Sequence, residues 1–168
     1  MLRKVLLLVV LMASFATTTL AQEKGGNKIS RKIQVYSFDK LRVDGDLLVM
    51  LVEEDTARTV YIEGKRDFVN SIHVKMENGG LTIQTTRKVD YARNAIVYVP
   101  VRTLRNLEVN ADAKVYSLNE LSSTTLDVLI NGNCTVSIDV AGIVNFNAGP
   151  GYSYKYAKGQ PEETVSRQ

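Results

Sequence analysis

The sequence predicts an all-β solenoid, in which strand–turn–strand corners stack on one another as successive coils. A nine-residue pattern indicates this fold: apolar, variable, apolar, Asp or Asn, Gly or Ala, three variable positions and a closing apolar residue. The pattern occurs at residues 41–49, 107–115, 128–136 and 144–152. The last three copies begin 21 and 16 residues apart, which is the range expected for one coil of a solenoid. From Lys32 onward, apolar and polar residues also alternate with the period of two that is typical of β-strands.

The N-terminal segment has the pattern of an export signal. Arg3 and Lys4 precede an apolar run, and Thr19-Leu20-Ala21 offers small residues for cleavage before Gln22. The run is too short for a stable transmembrane helix. We therefore expect an exported mature chain without a transmembrane segment, in the periplasm or at the cell surface. The expected organisation is a signal peptide at residues 1–21, a flexible leader at 22–31, a single solenoid domain at 32–161 and a tail at 162–168.

The charge of the mature chain argues against a nucleic-acid partner. Removal of residues 1–21 lowers the formal net charge from +3 to +1, because Arg3 and Lys4 are lost. Binding to phosphate backbones requires clustered Lys and Arg side chains. A nearly balanced surface does not supply such a cluster.

The first half of the domain is predicted to be richer in antiparallel pairs. Residues 72–85 alternate on either side of Asn78-Gly79-Gly80, which tolerate positive φ angles, so a tight hairpin is expected. A short helix is predicted over residues 65–71. A strand over residues 95–99 is predicted to end at Pro100, because proline has no N–H for a following ladder.

Each position of the repeat has its own physical role. The Asp or Asn can bond its own backbone two residues on, and the small residue beside it allows stacked corners to approach closely. We interpret eight residues as structural turn formers on this basis: Asp44, Gly45, Asn110, Ala111, Asn131, Gly132, Asn147 and Ala148. Corners stacked at about 4.8 Å would align the side chains of Asn110, Asn131 and Asn147 in a short ladder. The copy at residues 41–49 lies 66 residues before the next one, so the coil is predicted from the later three copies.

The residues that could perform catalysis are few. His73 is the single histidine and is interpreted as a solvated strand residue, and Cys134, the single cysteine, as a small buried thiol. Asp46 and Asp112 hold the same repeat position, and two carboxylates one coil apart could act as acid and base or bind calcium. Aspartate is also a favoured turn residue. We therefore expect no catalytic residues, no metal site and no cofactor.

Three tyrosines near the end of the domain are the candidate ligand-binding residues. Tyr152, Tyr154 and Tyr156 alternate, so they are expected to share one face of a strand. Aromatic faces beside polar groups suit sugars or protein partners. The alternative interpretation is an end cap that shields the last coil, since solenoids need capping.

Several pieces of the sequence resemble the head GIN domain family of autotransporter adhesins, an exported bacterial family of unknown function. The pieces are Phe38–Asp46, the hairpin sequence Gly79–Ile83, Val97–Pro100 leading into Leu104 and Leu107, the Asn/Gly corners, and Tyr156–Pro161. Together they cover most of residues 36–161. The resemblance implies a right-handed parallel β-helix, an extracytoplasmic location and an adhesive role at the surface.

The combined expectation is an exported, non-enzymatic binding or adhesion module at the cell surface or in the periplasm. Its partner would be a surface glycan or a protein. Two alternatives stay open. One is a glycan-acting enzyme that uses Asp46, Asp112 or Asp127, and the other is a self-associating envelope component whose coil ends pair between chains as a homo-oligomer.

Overall fold

The computed structural model describes residues 28–54, 58–86, 94–110 and 112–149. The predicted signal peptide, most of the leader and the tail lie outside these residues. Within them the chain forms twelve strands and a short helix, α1. The bounds are β1 Lys28–Gln34, β2 Lys40–Asp44, β3 Leu48–Glu53, β4 Thr59–Lys65, α1 Arg66–Ser71, β5 Ile72–Glu77, β6 Gly80–Thr85, β7 Ala95–Val101, β8 Asn106–Val109, β9 Lys114–Ser117, β10 Thr125–Ile130, β11 Thr135–Ser137 and β12 Ile143–Ala148.

The strands form two six-stranded mixed sheets. Sheet A has the order β1-β4-β7-β3-β9-β11, and sheet B has the order β12-β10-β8-β2-β6-β5. In sheet A, the pairs among β1, β4 and β7 are antiparallel, and those among β7, β3, β9 and β11 are parallel. In sheet B, β5 and β6 pair antiparallel, and the other pairs are parallel.

The prediction of a right-handed parallel β-helix is wrong, because the chain forms two mixed sheets and not a closed solenoid. The repeat describes only strands that pair in parallel. The two-residue turn at Asn78 and Gly79 reverses the chain at once, so β6 returns antiparallel beside β5. A reversal of this kind is incompatible with continuous winding in one direction.

The hydrophobic core takes side chains from both sheets, which places it between them. Strand β10 illustrates how the sequence builds the core, because its inward residues Leu126, Val128 and Ile130 are buried and the residues between them are exposed. Full burial of one such aliphatic side chain stabilises the fold by about 1.5–3 kcal/mol. The period-two pattern therefore fixes which face of each strand is solvent-exposed.

The strand register aligns three copies of the repeat. Leu41 lies opposite Leu107, and Leu107 lies opposite Val128. At the closing position, Val115 is aligned with both Val49 and Val136. Each of these copies carries the chain from sheet B to sheet A. The copy at residues 41–49 was not needed to predict the coil, yet it is aligned with the copies at 107–115 and 128–136.

The fourth copy is displaced by two residues. Phe146 lies opposite Val128 and Asn147 lies opposite Leu129, while the N–H of Gly149 bonds to the carbonyl of Ile130. The expectation that Asn147 extends the asparagine ladder is therefore wrong. Asn147 and Ala148 are also not turn residues, because both lie inside β12. A shift of two residues keeps the same face of the strand inward, so the alternation in the sequence could not detect it.

The elements predicted before residue 100 are confirmed with two corrections. Residues 28–31, which were expected to belong to a flexible leader, form the start of β1 and pair with β4. The hairpin has its turn at Asn78 and Gly79, whose φ angles are 49° and 74°, and α1 lies where the short helix was expected. Strand β7 does not end at Pro100, because Pro100 lies opposite Val52 and the strand continues to Val101. Among the described residues, no helix has the length and apolar character needed to span a bilayer.

Candidate functional site

The predicted turn residues form a hydrogen-bonded chain across three corners. The side-chain amide of Asn110 donates to Oδ1 of Asp44, and that of Asn131 donates to Oδ1 of Asn110, each at 2.8 Å. Backbone bonds from the same residues continue the sheet B ladders. These side chains hold neighbouring corners together, which is a structural role.

The small residues beside this chain permit the close approach of the backbone. Gly45 has a φ angle of +101°, and a Cβ at this position would lie 2.2 Å from the carbonyl oxygen of Thr85. Gly132 is buried, and its carbonyl accepts the N–H of Cys134. Ala111 lies outside the described residues, as do the three candidate tyrosines Tyr152, Tyr154 and Tyr156.

The candidate carboxylates serve local hydrogen bonds at two different levels of the fold. Oδ1 of Asp112 accepts the backbone N–H of Asn133 in the next corner. Oδ1 of Asp127 accepts the side-chain amide of Asn145 at 2.8 Å, but Asp127 lies three residues before the end of β10, about 10 Å along the strand. Asp46 lies in the corner between β2 and β3. Within the described ranges, no three His, Cys, Asp or Glu residues are grouped as a metal site would require.

Cys134 and His73 lie far apart in the fold. Cys134 is a free, buried thiol in the corner before β11, as the sequence predicted. Burial raises the pKa of this thiol, and the nearby carboxylate of Asp112 adds to the increase. His73 is exposed on β5, at the opposite edge of sheet B from the corners of β10 and β12. They form no nucleophile–base pair.

The outer face of sheet A carries a continuous row of side chains, which we call the tyrosine row. It consists of the residues that lie opposite one another across all six strands, namely Lys32, Tyr61, Tyr98, Met50, Tyr116 and Ser137. On β3, β4, β7 and β11 these residues stand between buried ones, and on β1 and β9 they alternate with buried or half-buried ones, so they point away from the core. The side chain of Tyr61, for example, is 40% exposed.

Polar groups orient the row at the β1–β4–β7 side. The ammonium group of Lys32 lies 5.2 Å from the centre of the Tyr61 ring, within the range of a cation–π contact. The hydroxyl of Tyr98 donates to Oε1 of Glu63 at 3.0 Å. Partial burial and this carboxylate both raise the pKa of Tyr98. The rings of Tyr61 and Tyr98 are thus held in place by neighbouring side chains.

The outer face of sheet B carries a groove of about 450 Å³, which we call the sheet B groove. Its outward-facing lining includes Lys40, Arg42, Asn106, Glu108, Asp127 and Leu129. The guanidinium of Arg42 lies 2.9 Å from Oδ2 of Asp44 and 3.6 Å from Oε1 of Glu108. The hydrogen bond to Asp44 raises the pKa of Arg42. These ion pairs therefore orient the side chains of Arg42, Asp44 and Glu108 relative to one another.

Comparison with known protein families gives a match over most of this fold. The family described as "Putative auto-transporter adhesin, head GIN domain" matches residues 37–148. The chain belongs to this family. The family predicted from the sequence pieces is therefore confirmed. The matched residues contain the sheet B groove and every member of the tyrosine row except Lys32.

Solved structures with the same fold include two putative adhesins. The one from Parabacteroides merdae shares 19% identity with this head GIN domain chain at a TM-score of 0.58, covering 72% of this chain and 53% of its own. The one from Bacteroides fragilis shares 18% identity at a TM-score of 0.55, covering 71% of this chain and 61% of its own. The chain thus spans between half and two thirds of these proteins. Among curated proteins, none matches it.

Sequence reasoning missed the tyrosine row of this head GIN domain. The signal was present on each strand, because Tyr61 and Tyr98 each stand between two β-branched residues and therefore face outward. The order of the strands in sheet A was not visible in the sequence. Tyr61, Tyr98 and Tyr116 come into one row only because β4 pairs with β7, β7 with β3, and β3 with β9.

Proposed function

We propose that the chain is an exported, non-enzymatic adhesion module that contacts a protein partner, at the cell surface or in the periplasm, through the tyrosine row. Membership of a family described as auto-transporter adhesins supports the general role. The observation that carries the proposal is the alignment of Tyr61, Tyr98 and Tyr116 across one exposed sheet face.

The composition of the row suits a protein interface. Tyrosine and methionine are enriched in interface cores, and tyrosine is frequent among the residues that contribute most binding energy. The half-buried side chains of Leu48, Val52 and Ile96 also face outward on sheet A, which extends the apolar surface around Met50. Because the rings stand on paired strands, little conformational entropy is lost when a partner binds.

The arrangement of titratable groups supports a non-enzymatic role. A thiol nucleophile must be exposed and readily deprotonated, whereas Cys134 is buried and its pKa is raised. Asp112 and Asp127 lie at different levels, and each accepts a hydrogen bond from an asparagine. Hydrolysis of a polysaccharide by the purified chain, abolished by Asp112→Asn or Asp127→Asn, would contradict this part of the proposal.

The experiment measures adhesion of the full chain to immobilised collagen, fibronectin, fibrinogen, laminin and mucin. We expect Tyr116→Ser to weaken binding at least tenfold, which corresponds to about 1.4 kcal/mol. Tyr36→Ser is the matched control, because Tyr36 is 75% exposed but lies outside the row. An equal loss with both variants, or no binding to any of these proteins, would contradict the proposal.

A further inference from the structure

We propose that the sheet B groove is a second binding site, which takes a neutral saccharide. The groove lies on the opposite face of the fold from the tyrosine row and needs none of its residues. Five strands that pair in parallel, β6, β2, β8, β10 and β12, form its floor. The site is therefore preorganised, and its volume of about 450 Å³ falls within the range of about 300–1,000 Å³ that is usual for ligand sites.

The polar groups of the groove lie on a regular grid. In one row, Asn106 lies opposite both Lys40 and Asp127. In the next, Glu108 lies opposite both Arg42 and Leu129. Strand geometry sets the spacing at about 4.8 Å across strands and about 6.6 Å along them. This spacing is comparable to that between hydroxyl groups on opposite sides of a pyranose ring.

The charges in the groove are locally compensated, which favours a neutral ligand. Arg42 is shared between Asp44 and Glu108, and Glu77, at the edge of the groove, pairs with Lys75 at 2.6 Å. A polyanion would meet the carboxylates of Glu108 and Asp127, and a polycation would meet Lys40 and Arg42. Neither sign of charge finds a complementary surface.

Hydroxyl groups of a neutral ligand can form hydrogen bonds with the carboxylate and amide side chains of the groove. A carboxylate offers about four lone-pair positions, and an asparagine side chain both donates and accepts. Asp127 is oriented by Asn145 and keeps further lone pairs for O–H donors. Leu129 is 41% exposed between Glu108 and Asn147 and provides an apolar contact for the C–H face of a sugar ring. A saccharide presents hydroxyl groups around the edge of its ring and an apolar C–H face beside them, which matches this grid.

The test measures binding of the full chain to neutral hexose oligosaccharides of four to six units, with heparin and polygalacturonate fragments as acidic comparators. We expect at least one neutral oligosaccharide to bind, and Leu129→Arg to weaken it at least tenfold. Leu118→Arg is the matched control, because Leu118 is 57% exposed and lies outside the groove; it should change affinity less than twofold. Asp127→Ala should also weaken saccharide binding. Because this substitution removes atoms, steric exclusion cannot explain the loss.

The outcomes separate this inference from the proposed function. A separate site on sheet B is supported if Leu129→Arg loses saccharide binding and Tyr116→Ser binds the saccharide as wild type does. No neutral oligosaccharide binding at millimolar concentration, binding of acidic fragments alone, or equal affinity of Leu129→Arg and wild type would overturn it. None of these results would alter protein adhesion measured through Tyr116.

Discussion

The side-chain amide of Asn131 donates a 2.8 Å hydrogen bond to the side-chain oxygen of Asn110, 21 residues earlier in the chain. The amide of Asn110 in turn donates to Asp44, which lies 66 residues before it. Three corners that are remote in sequence are therefore linked by side-chain hydrogen bonds as well as by the backbone ladders. The Asp and Asn of the repeat bond to one another between neighbouring corners.

The first prediction concerns the middle member of this chain. Asn110→Ala removes one acceptor and one donor, and leaves half-buried polar groups of Asp44 and Asn131 without their partner. Loss of such a partner costs about 1–3 kcal/mol, so we expect a decrease of this size in the free energy of unfolding, measured by urea denaturation. Asn147→Ala, at an exposed strand position, should change it by less than about 0.5 kcal/mol. Equal effects would show that the side-chain links do not contribute.

The second prediction compares two glycines with positive φ angles. Gly45→Ala would place a Cβ 2.2 Å from the carbonyl oxygen of Thr85, whereas a Cβ on Gly79 would meet nothing within 4 Å. Gly79→Ala should therefore cost only the conformational strain, about 1–2 kcal/mol. Gly45→Ala should cost more, because overpacking adds about 1–3 kcal/mol. Thermal unfolding of both variants checks the order, and a larger loss for Gly79→Ala would contradict it.

The third prediction concerns pH and Cys134. Burial raises the pKa of this thiol above that of the unfolded chain, so the folded state binds the proton more tightly. The resulting stabilisation is present at low pH and is lost as the pH rises from the unfolded to the folded pKa, beginning at about pH 8.5. The free energy of unfolding of wild type should fall relative to Cys134→Ala across this window. Parallel curves for the two proteins would disprove the assignment.

The fourth prediction concerns Tyr98 in the tyrosine row. Burial contributes most to its raised pKa, and the hydrogen bond to Glu63 contributes next. Glu63→Gln should lower the pKa of Tyr98 without restoring it fully, because burial remains. Ultraviolet titration, with Tyr98→Phe subtracted in each background to isolate this phenol, measures the change. An unchanged or higher pKa in Glu63→Gln would refute the role of the carboxylate.

The strand pattern and the local turns could be predicted from the sequence because they depend on neighbouring residues. The hairpin at Asn78 and Gly79 follows from the φ angles these residues tolerate, and α1 and the burial of Cys134 were also predicted. The strand partners could not be predicted, because they depend on contacts between distant segments. The displacement of Asn147 shows this limit, since a shift of two residues leaves every side chain on the same face.

Less of the candidate site than of the strand pattern could be predicted from the sequence. Outward-facing tyrosines could be recognised one strand at a time, but their alignment depends on the order of strands in sheet A. The sheet B groove likewise exists because β8 lies between β2 and β10, which brings Arg42, Glu108 and Leu129 side by side.

The sequence by itself determined that this chain is built of β-strands, which residues face its core, where it turns sharply and to which family it belongs. The strands, the core-facing residues and the turns follow from local backbone preferences and from the burial of alternate apolar side chains, whereas the family follows from the resemblance of several sequence pieces. Only the tertiary structure decided that the strands form two mixed sheets, that Asp44 joins the ladder while Asn147 does not, and that two different surfaces face solvent. Those outcomes depend on strand register, which is set by hydrogen bonds and packing between residues far apart in the chain.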